Sequence, residues 1–96
     1  MTIEIKRHAE EITIELVGRL DTTTAPALDM TISEDIADTR RLTLDLKGLE
    51  YISSAGLRVL LGAQKRTKGA MKLIHVGEAV MAVLEMTGFA DILPIE

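Results

Sequence analysis

Apolar and polar residues alternate in several short stretches of the chain, a period of two that is typical of strands with one buried face. The clearest stretches cover residues 2–6, 12–16 and 41–46. A polar turn at residues 8–10 separates the first two, so we predict an antiparallel hairpin there. Two shorter apolar runs, one that begins at Met71 and is broken by Gly77 and one at 92–95, predict two further strands.

Other apolar residues recur at the spacing of helices. An early helix carries Leu28, Ile32 and Ile36 on its buried side. Thr23 or Thr24 is its expected cap, and it should end near Asp38. A late helix is predicted over residues 78–87, with Gly88 ending it.

The central helix follows two consecutive serines. Ser53 is the expected N-cap and Ser54 the first helical residue. The helix should end near Lys68, with Gly69 directly after it. The first N–H groups of a helix lack intrahelical partners and the dipole is positive there, so a serine hydroxyl at this point is exposed and well placed to be phosphorylated.

The order of these elements, β-β-α-β-α-β-α-β, indicates an α/β fold. Strands separated by single helices should be mutually parallel, with right-handed crossovers. Strands buried on both faces would read as continuous apolar runs, whereas these alternate. We therefore expect one monomeric domain over residues 1–96, with two layers, a mixed sheet of about five strands, and helices mainly on one face.

Composition excludes several classes of function. The 96 residues carry a net charge of −4, with one Tyr, one Phe and no Trp, which argues against nucleic-acid binding. There is no cysteine, and His8 and His75 have no metal-ligand spacing, so we expect no metal and no cofactor. No apolar stretch resembles a signal peptide or a membrane span, so a cytoplasmic protein is expected.

The paired serines do not match a catalytic motif. A nucleophile elbow needs Gly-x-Ser-x-Gly, but Ile52 stands two residues before Ser54, and His75 is the one histidine that follows. His75 falls on a predicted strand, where a structural role is expected. No Gly-rich loop followed by Lys and Ser or Thr suggests a phosphate-binding loop. We therefore expect no enzymatic activity.

Three motifs resemble those of STAS domains of the anti-sigma factor antagonist type, and the similarity covers essentially the whole chain. The motifs are GRLDTTTA at 18–25, YISSAGL at 51–57 and MTGF at 86–89. The family commonly has Asp-Ser-Ser/Thr-Gly-Leu in the second motif, and its first serine is the phosphoacceptor. Ser54 matches that serine, and Ser53 is its neighbouring rival. This chain has Ser53 in place of the Asp and Ala55 in place of the second hydroxyl residue.

The resemblance implies a partner-switching regulator. The unphosphorylated antagonist would bind an anti-sigma factor that is also a serine kinase of the GHKL type and so release a sigma factor. Phosphorylation would end that binding, and a PP2C-like phosphatase would restore it. The loops that follow parallel strands should lie at the same edge of the sheet, which predicts a binding surface there. Its expected residues are Asp21, Thr22, Thr23, Thr24, Ser53, Ser54, Ala55, Gly56 and Arg58.

Two other interpretations remain open at this point. The serines could only cap the helix. Alternatively, the domain could be a scaffold or subunit of a transport or stress-signalling complex that binds through the same helix without phosphorylation. Arg58 lies one helical turn after Ser54, so its guanidinium could reach a phosphate there, or it could be an ordinary surface residue.

Overall fold

The computed structural model describes residues 1–35 and 41–96. Its elements are β1 (Thr2–His8), β2 (Glu11–Leu20), α1 (Ala25–Asp35), β3 (Arg41–Ile52), α2 (Ser54–Arg66), β4 (Met71–Ile74), α3 (Glu78–Met86) and a 3₁₀ turn (Phe89–Asp91). The predicted hairpin and all three helices are present. The predicted end of the first helix near Asp38 and its apolar position Ile36 lie outside the described residues.

The described strands form one mixed sheet in the order β1-β2-β3-β4. β1 and β2 are antiparallel. β2 with β3 and β3 with β4 are parallel, as the intervening helices predicted. The predicted last strand is reduced to one parallel bridge between Ile95 and Leu73. It is short because the chain first turns through the 3₁₀ segment, where Ile92 N–H donates to Phe89 O at 3.0 Å.

Two strands extend further than the sequence predicted. β2 continues to Leu20, whereas the alternation covered only residues 12–16, and β3 continues to Ile52 instead of ending at Leu46. The pairing of β2 with β3 shifts register twice, and Gly18 has φ +107°, which favours glycine. Both shifts place an extra residue in β3, so its period of two is lost after Leu46, whereas the burial of β2 keeps that period to Leu20.

The core lies between one face of the sheet and the helices. Its members include the largest fully buried side chains, which are Ile14, Leu16, Leu20, Leu28, Ile32, Leu42, Leu44, Leu46, Ile52, Leu60, Leu73 and Leu84. Alternate residues point to the other face, where Lys6 Nζ forms an ion pair with Glu15 Oε2 at 2.6 Å. The two-layer α/β architecture is therefore confirmed, with four strands in the sheet.

The helix ends differ slightly from the predicted ones. α2 ends at Arg66 and is followed by the C-cap Thr67, so the predicted end near Lys68 was late. Gly69 does have a positive φ of 84°, as expected of a residue just past a helix end. Gly88 has φ 80° directly after the C-cap of α3, and its predicted role in ending that helix is confirmed.

Two glycines of α2 provide a matched test of the packing. A Cβ at Gly56 would lie 2.8 Å from Leu20 Cγ and 2.9 Å from Ile52 Cγ1, both in buried side chains, whereas a Cβ at Gly62 would meet nothing within 4 Å. We expect Gly56→Ala to lower the free energy of unfolding by about 1–3 kcal/mol through overpacking. Gly62→Ala should raise it by about 0.5–1 kcal/mol through helix propensity. Urea denaturation of both variants measures this, and equal effects would contradict the close approach at Gly56.

Candidate functional site

Ser53 begins α2 as its N-cap. Its backbone is extended, with φ −98° and ψ 175°, and its Oγ accepts a hydrogen bond from Gly56 N–H at 3.3 Å. Its own N–H donates to Leu20 O at 2.9 Å, which continues the parallel pairing of β2 with β3. Because Ser53 makes the capping hydrogen bond, the hydroxyl of Ser54 is not needed to cap the helix. Ser54 is exposed at the first position of the helix, as predicted.

Asp21 and Thr24 cap each other in the turn before α1. Asp21 Oδ1 accepts from the backbone N–H groups of Thr23 at 3.0 Å and Thr24 at 3.1 Å. Thr24 Oγ1 in return accepts from Asp21 N–H at 2.9 Å, and it can donate its own proton to Arg19 O at 2.8 Å. Asp21 O also accepts from Ala25 N–H, the first residue of α1, so Asp21 is the cap and Thr24 its partner three residues later. The cap predicted at Thr23 or Thr24 is therefore wrong.

These hydrogen bonds lower the pKa of Asp21 from its usual value, the bond from Thr24 N–H having the largest effect. A carboxyl whose pKa is depressed on folding stabilises the folded protein above its unfolded pKa of about 3.9. That stabilisation is lost as the pH falls through the lower, folded pKa. Asp21 is therefore ionised at neutral pH and carries a negative charge at this loop.

The structure brings the two predicted segments together at one edge of the sheet. Parallel strands β2 and β3 end side by side, so the loop of residues 21–24 lies beside the start of α2. Leu20 contacts both, through its carbonyl to Ser53 and its side chain against Gly56. Within the predicted set, Thr22, Thr23, Ser54 and Arg58 are exposed, Asp21, Thr24, Ser53 and Ala55 are partly buried, and Gly56 is buried. Gly56 thus belongs to the packing beneath the surface.

Sequence reasoning missed a second pair at the same edge. Arg19 and Tyr51 are partners in the β2–β3 register, and the guanidinium carbon of Arg19 lies 4.2 Å from the centroid of the Tyr51 ring. Tyr51 is 38% exposed, so the stacked pair reaches the surface. Both residues stand in the sequence, but the shift in register between β2 and β3 meant that their pairing could not be predicted from it.

Within residues 1–35 and 41–96, neither histidine is hydrogen-bonded to Ser53 or Ser54. His75 lies in a bend just after β4, where its φ is 56°, and not on the strand where it was predicted. Its Nδ1 is 2.9 Å from Asp45 Oδ1, so it is engaged with the middle of β3. Burial opposes ionisation of Asp45, but the hydrogen bonds from His75 and Lys47 N–H outweigh it, and the pKa of Asp45 is lowered.

Neither a metal site nor a membrane helix is found in the part of the chain that the structure describes. No group of three or more His, Asp or Glu side chains in residues 1–35 and 41–96 could hold a metal ion. Within the same residues, no helix has the length and apolar character needed to cross a membrane.

Comparison with known proteins gives the family. The sequence model of the STAS domain matches residues 2–96. The chain belongs to the STAS domain family. It is 30% identical, over 99% of its length and 90% of the relative's, to the anti-sigma-B factor antagonist of Bacillus subtilis.

Solved structures agree with this assignment. An anti-sigma factor antagonist from Mycobacterium paratuberculosis superposes with a TM-score of 0.87 at 26% identity, covering 98% of this chain and 83% of that one. The Bacillus cell fate determinant SpoIIAA in its phosphorylated form superposes with a TM-score of 0.76, covering 99% of this chain and 91% of that one. Its 17% identity shows the shared fold alone.

The cap at Ser53 is testable because this chain has serine where the STAS motif commonly has aspartate. We expect Ser53→Ala to lower the free energy of unfolding by about 1 kcal/mol, since Gly56 N–H loses its acceptor. Ser53→Asp should retain or raise stability, because a carboxylate both accepts this bond and suits the helix dipole. Thermal unfolding of the two variants checks this, and an undiminished midpoint for Ser53→Ala would contradict the capping role.

Proposed function

We propose that this STAS domain is an anti-sigma factor antagonist whose binding is controlled by phosphorylation of Ser54. In the unphosphorylated form it binds an anti-sigma factor that is also a serine kinase of the GHKL type, and a sigma factor is released. Phosphorylation ends the binding, and a PP2C-like phosphatase restores it. The domain is a substrate and a ligand in this cycle and not an enzyme. The exposed position of Ser54 at the start of α2 carries the proposal.

The surroundings of Ser54 suit a kinase substrate. Its hydroxyl is exposed, and the capping bond to Gly56 N–H is made by Ser53 instead. A phosphate on Ser54 would therefore not remove the cap. A phosphoserine carries a charge of about −1.5 to −2, which the positive end of the α2 dipole tolerates. The phosphorylated domain would stay folded while its surface changes.

The same change would disrupt an interface. A doubly charged phosphate in the middle of a contact surface adds bulk and must be desolvated, so a partner that fits the hydroxyl does not fit the phosphate. The loop of residues 21–24 lies beside Ser54 and would form the second part of the surface. Relatives named as anti-sigma factor antagonists support this partner class. The solved phosphorylated form of SpoIIAA supports the view that the fold accepts a phosphate.

A scaffold role is the alternative. Ser53 replaces the aspartate of the family motif, and a kinase that reads this aspartate would not recognise the chain. The domain would then bind a transport or stress-signalling complex through α2 without being modified. Incubation with the kinase distinguishes the two functions.

Ser54 should be the residue that accepts phosphate. Incubating the wild-type chain with its GHKL-type kinase and ATP should add one phosphate, located by tandem mass spectrometry on Ser54. Ser53→Ala should still be modified, because its Ser54 hydroxyl remains exposed. Ser54→Ala should gain nothing. Phosphate found on Ser53 alone would contradict the assignment, and no phosphate on any variant would favour the scaffold.

Phosphorylation at this position should weaken binding to the anti-sigma factor. We expect Ser54→Asp, which imitates part of the charge, to raise the dissociation constant about tenfold or more while its melting temperature stays near the wild-type value. Isothermal titration calorimetry and thermal unfolding measure the two quantities. Unchanged affinity would argue that Ser54 is outside the interface.

Asp21 carries a negative charge and also stabilises the turn of residues 21–24. Two variants separate these roles. Asp21→Asn keeps an oxygen acceptor for the N–H groups of Thr23 and Thr24, whereas Asp21→Ala removes it. We expect both variants to bind the anti-sigma factor more weakly, with only Asp21→Ala also lowering the melting temperature. Wild-type affinity in Asp21→Asn would mean that Asp21 serves only the turn.

A further inference from the structure

Four residues form a continuous stripe along the outward face of α2, which we call the α2 stripe. They are Ser54, Arg58, Leu61 and Lys65, at the spacing of one helix face. Ser54, Arg58 and Lys65 are exposed, and Leu61 is partly buried. The buried residues of this helix, Gly56, Leu57, Leu60 and Ala63, lie on the opposite side against the core.

The stripe carries two cations, Arg58 and Lys65. Neither Arg58 nor Lys65 forms an ion pair or hydrogen bond through its side chain with a residue that the structure describes. By contrast, Arg66 on the flank of the same helix pairs with Asp29 at 3.4 Å. The first turn of α2 contains no acidic residue, so the positive end of the dipole adds to the charge. The whole chain nevertheless has a net charge of −4.

We propose that the α2 stripe binds an acidic surface of the anti-sigma factor, with Arg58 and Lys65 opposite carboxylates and Leu61 in an apolar contact between them. This inference rests on the proposed function and adds the chemistry of the partner. A positive stripe on a protein of net negative charge orients the encounter, because it attracts an acidic patch of the partner. Arginine and leucine together supply directed hydrogen bonds and buried apolar area.

The stripe also shows how a phosphate would act on binding. Ser54 is its first residue, and Arg58 lies one turn further on the same face. A phosphate on Ser54 brings a charge of about −1.5 to −2, which offsets the two cations of the stripe. The acidic partner then meets a stripe whose net charge is close to zero, and the attraction is lost. Phosphorylation would thus act by charge as well as by bulk.

The test compares two charge reversals of equal size. Arg58→Glu/Lys65→Glu changes the stripe, and the control Arg41→Glu/Lys47→Glu changes two exposed cations of β3, which is outside the stripe. Stopped-flow kinetics measure association of each chain with the purified anti-sigma factor at several salt concentrations. The stripe variant should associate at least about tenfold more slowly and lose most of its salt dependence. The control should differ from wild type by less than about twofold.

A third variant tests the apolar contact. Leu61→Ala should raise the dissociation rate and leave the association rate and its salt dependence unchanged, because a neutral side chain does not steer the encounter.

Thermal unfolding establishes that each variant is folded. If the stripe reversal does not fold, Arg58→Gln/Lys65→Gln replaces it and should slow association by about threefold or more.

The outcomes separate this inference from the proposed function. If wild type binds and both double variants slow equally, net charge alone explains the effect and the stripe assignment is overturned. Wild-type association in the stripe variant overturns it as well. In both cases the proposed function stands. If the wild-type chain does not bind the anti-sigma factor at all, the proposed function fails and the stripe has no such partner.

Discussion

The site depends on the close approach of β2, β3 and α2 at the carboxyl edge of the sheet. The hydrogen bond from Ser53 N–H to Leu20 O extends the parallel pairing up to the first residue before the helix. Gly56 then lets the first turn of α2 pack directly on Leu20 and Ile52, where a Cβ would be closer than 3 Å to both. This packing sets the position from which the hydroxyl of Ser54 reaches solvent.

In the proposed function, two adjacent serines divide two tasks that one residue could not perform together. A hydroxyl that caps a helix is engaged with backbone N–H groups, whereas a phosphoacceptor must be accessible to a kinase. Ser53 makes the capping bond to Gly56 N–H and is partly buried, and Ser54 is exposed. The STAS motif commonly has aspartate at the capping position. Serine preserves the acceptor there but removes a negative charge from the start of α2.

That missing charge links the two proposals. With no acid in the first turn of α2, the dipole, Arg58 and Lys65 make this side of the helix positive. On the other face of the sheet, the Lys6 cation is paired with Glu15. Free positive charge is thus found where the partner would bind, next to the residue whose modification would neutralise it.

The sequence alone determined most of the fold. Alternation over 2–6, 12–16 and 41–46, helical spacing in the segments between, and the serines and glycines at helix ends depend on local geometry, so they predicted the element order and the parallel pairing. They also placed Ser53 at the cap and Ser54 in the first turn, because capping is a local property.

Only the tertiary structure decided where the strands end and what meets at their edge. Register shifts between β2 and β3 interrupt the alternation of β3 after Leu46 although the strand continues to Ile52, and a shift of register depends on the partner strand. For the same reason the stacking of Arg19 on Tyr51 and the contact of Gly56 with Leu20 could not be predicted. Which cations of α2 remain unpaired was likewise decided by packing, since Arg66 finds Asp29 on another helix and Arg58 finds no such partner in the described residues.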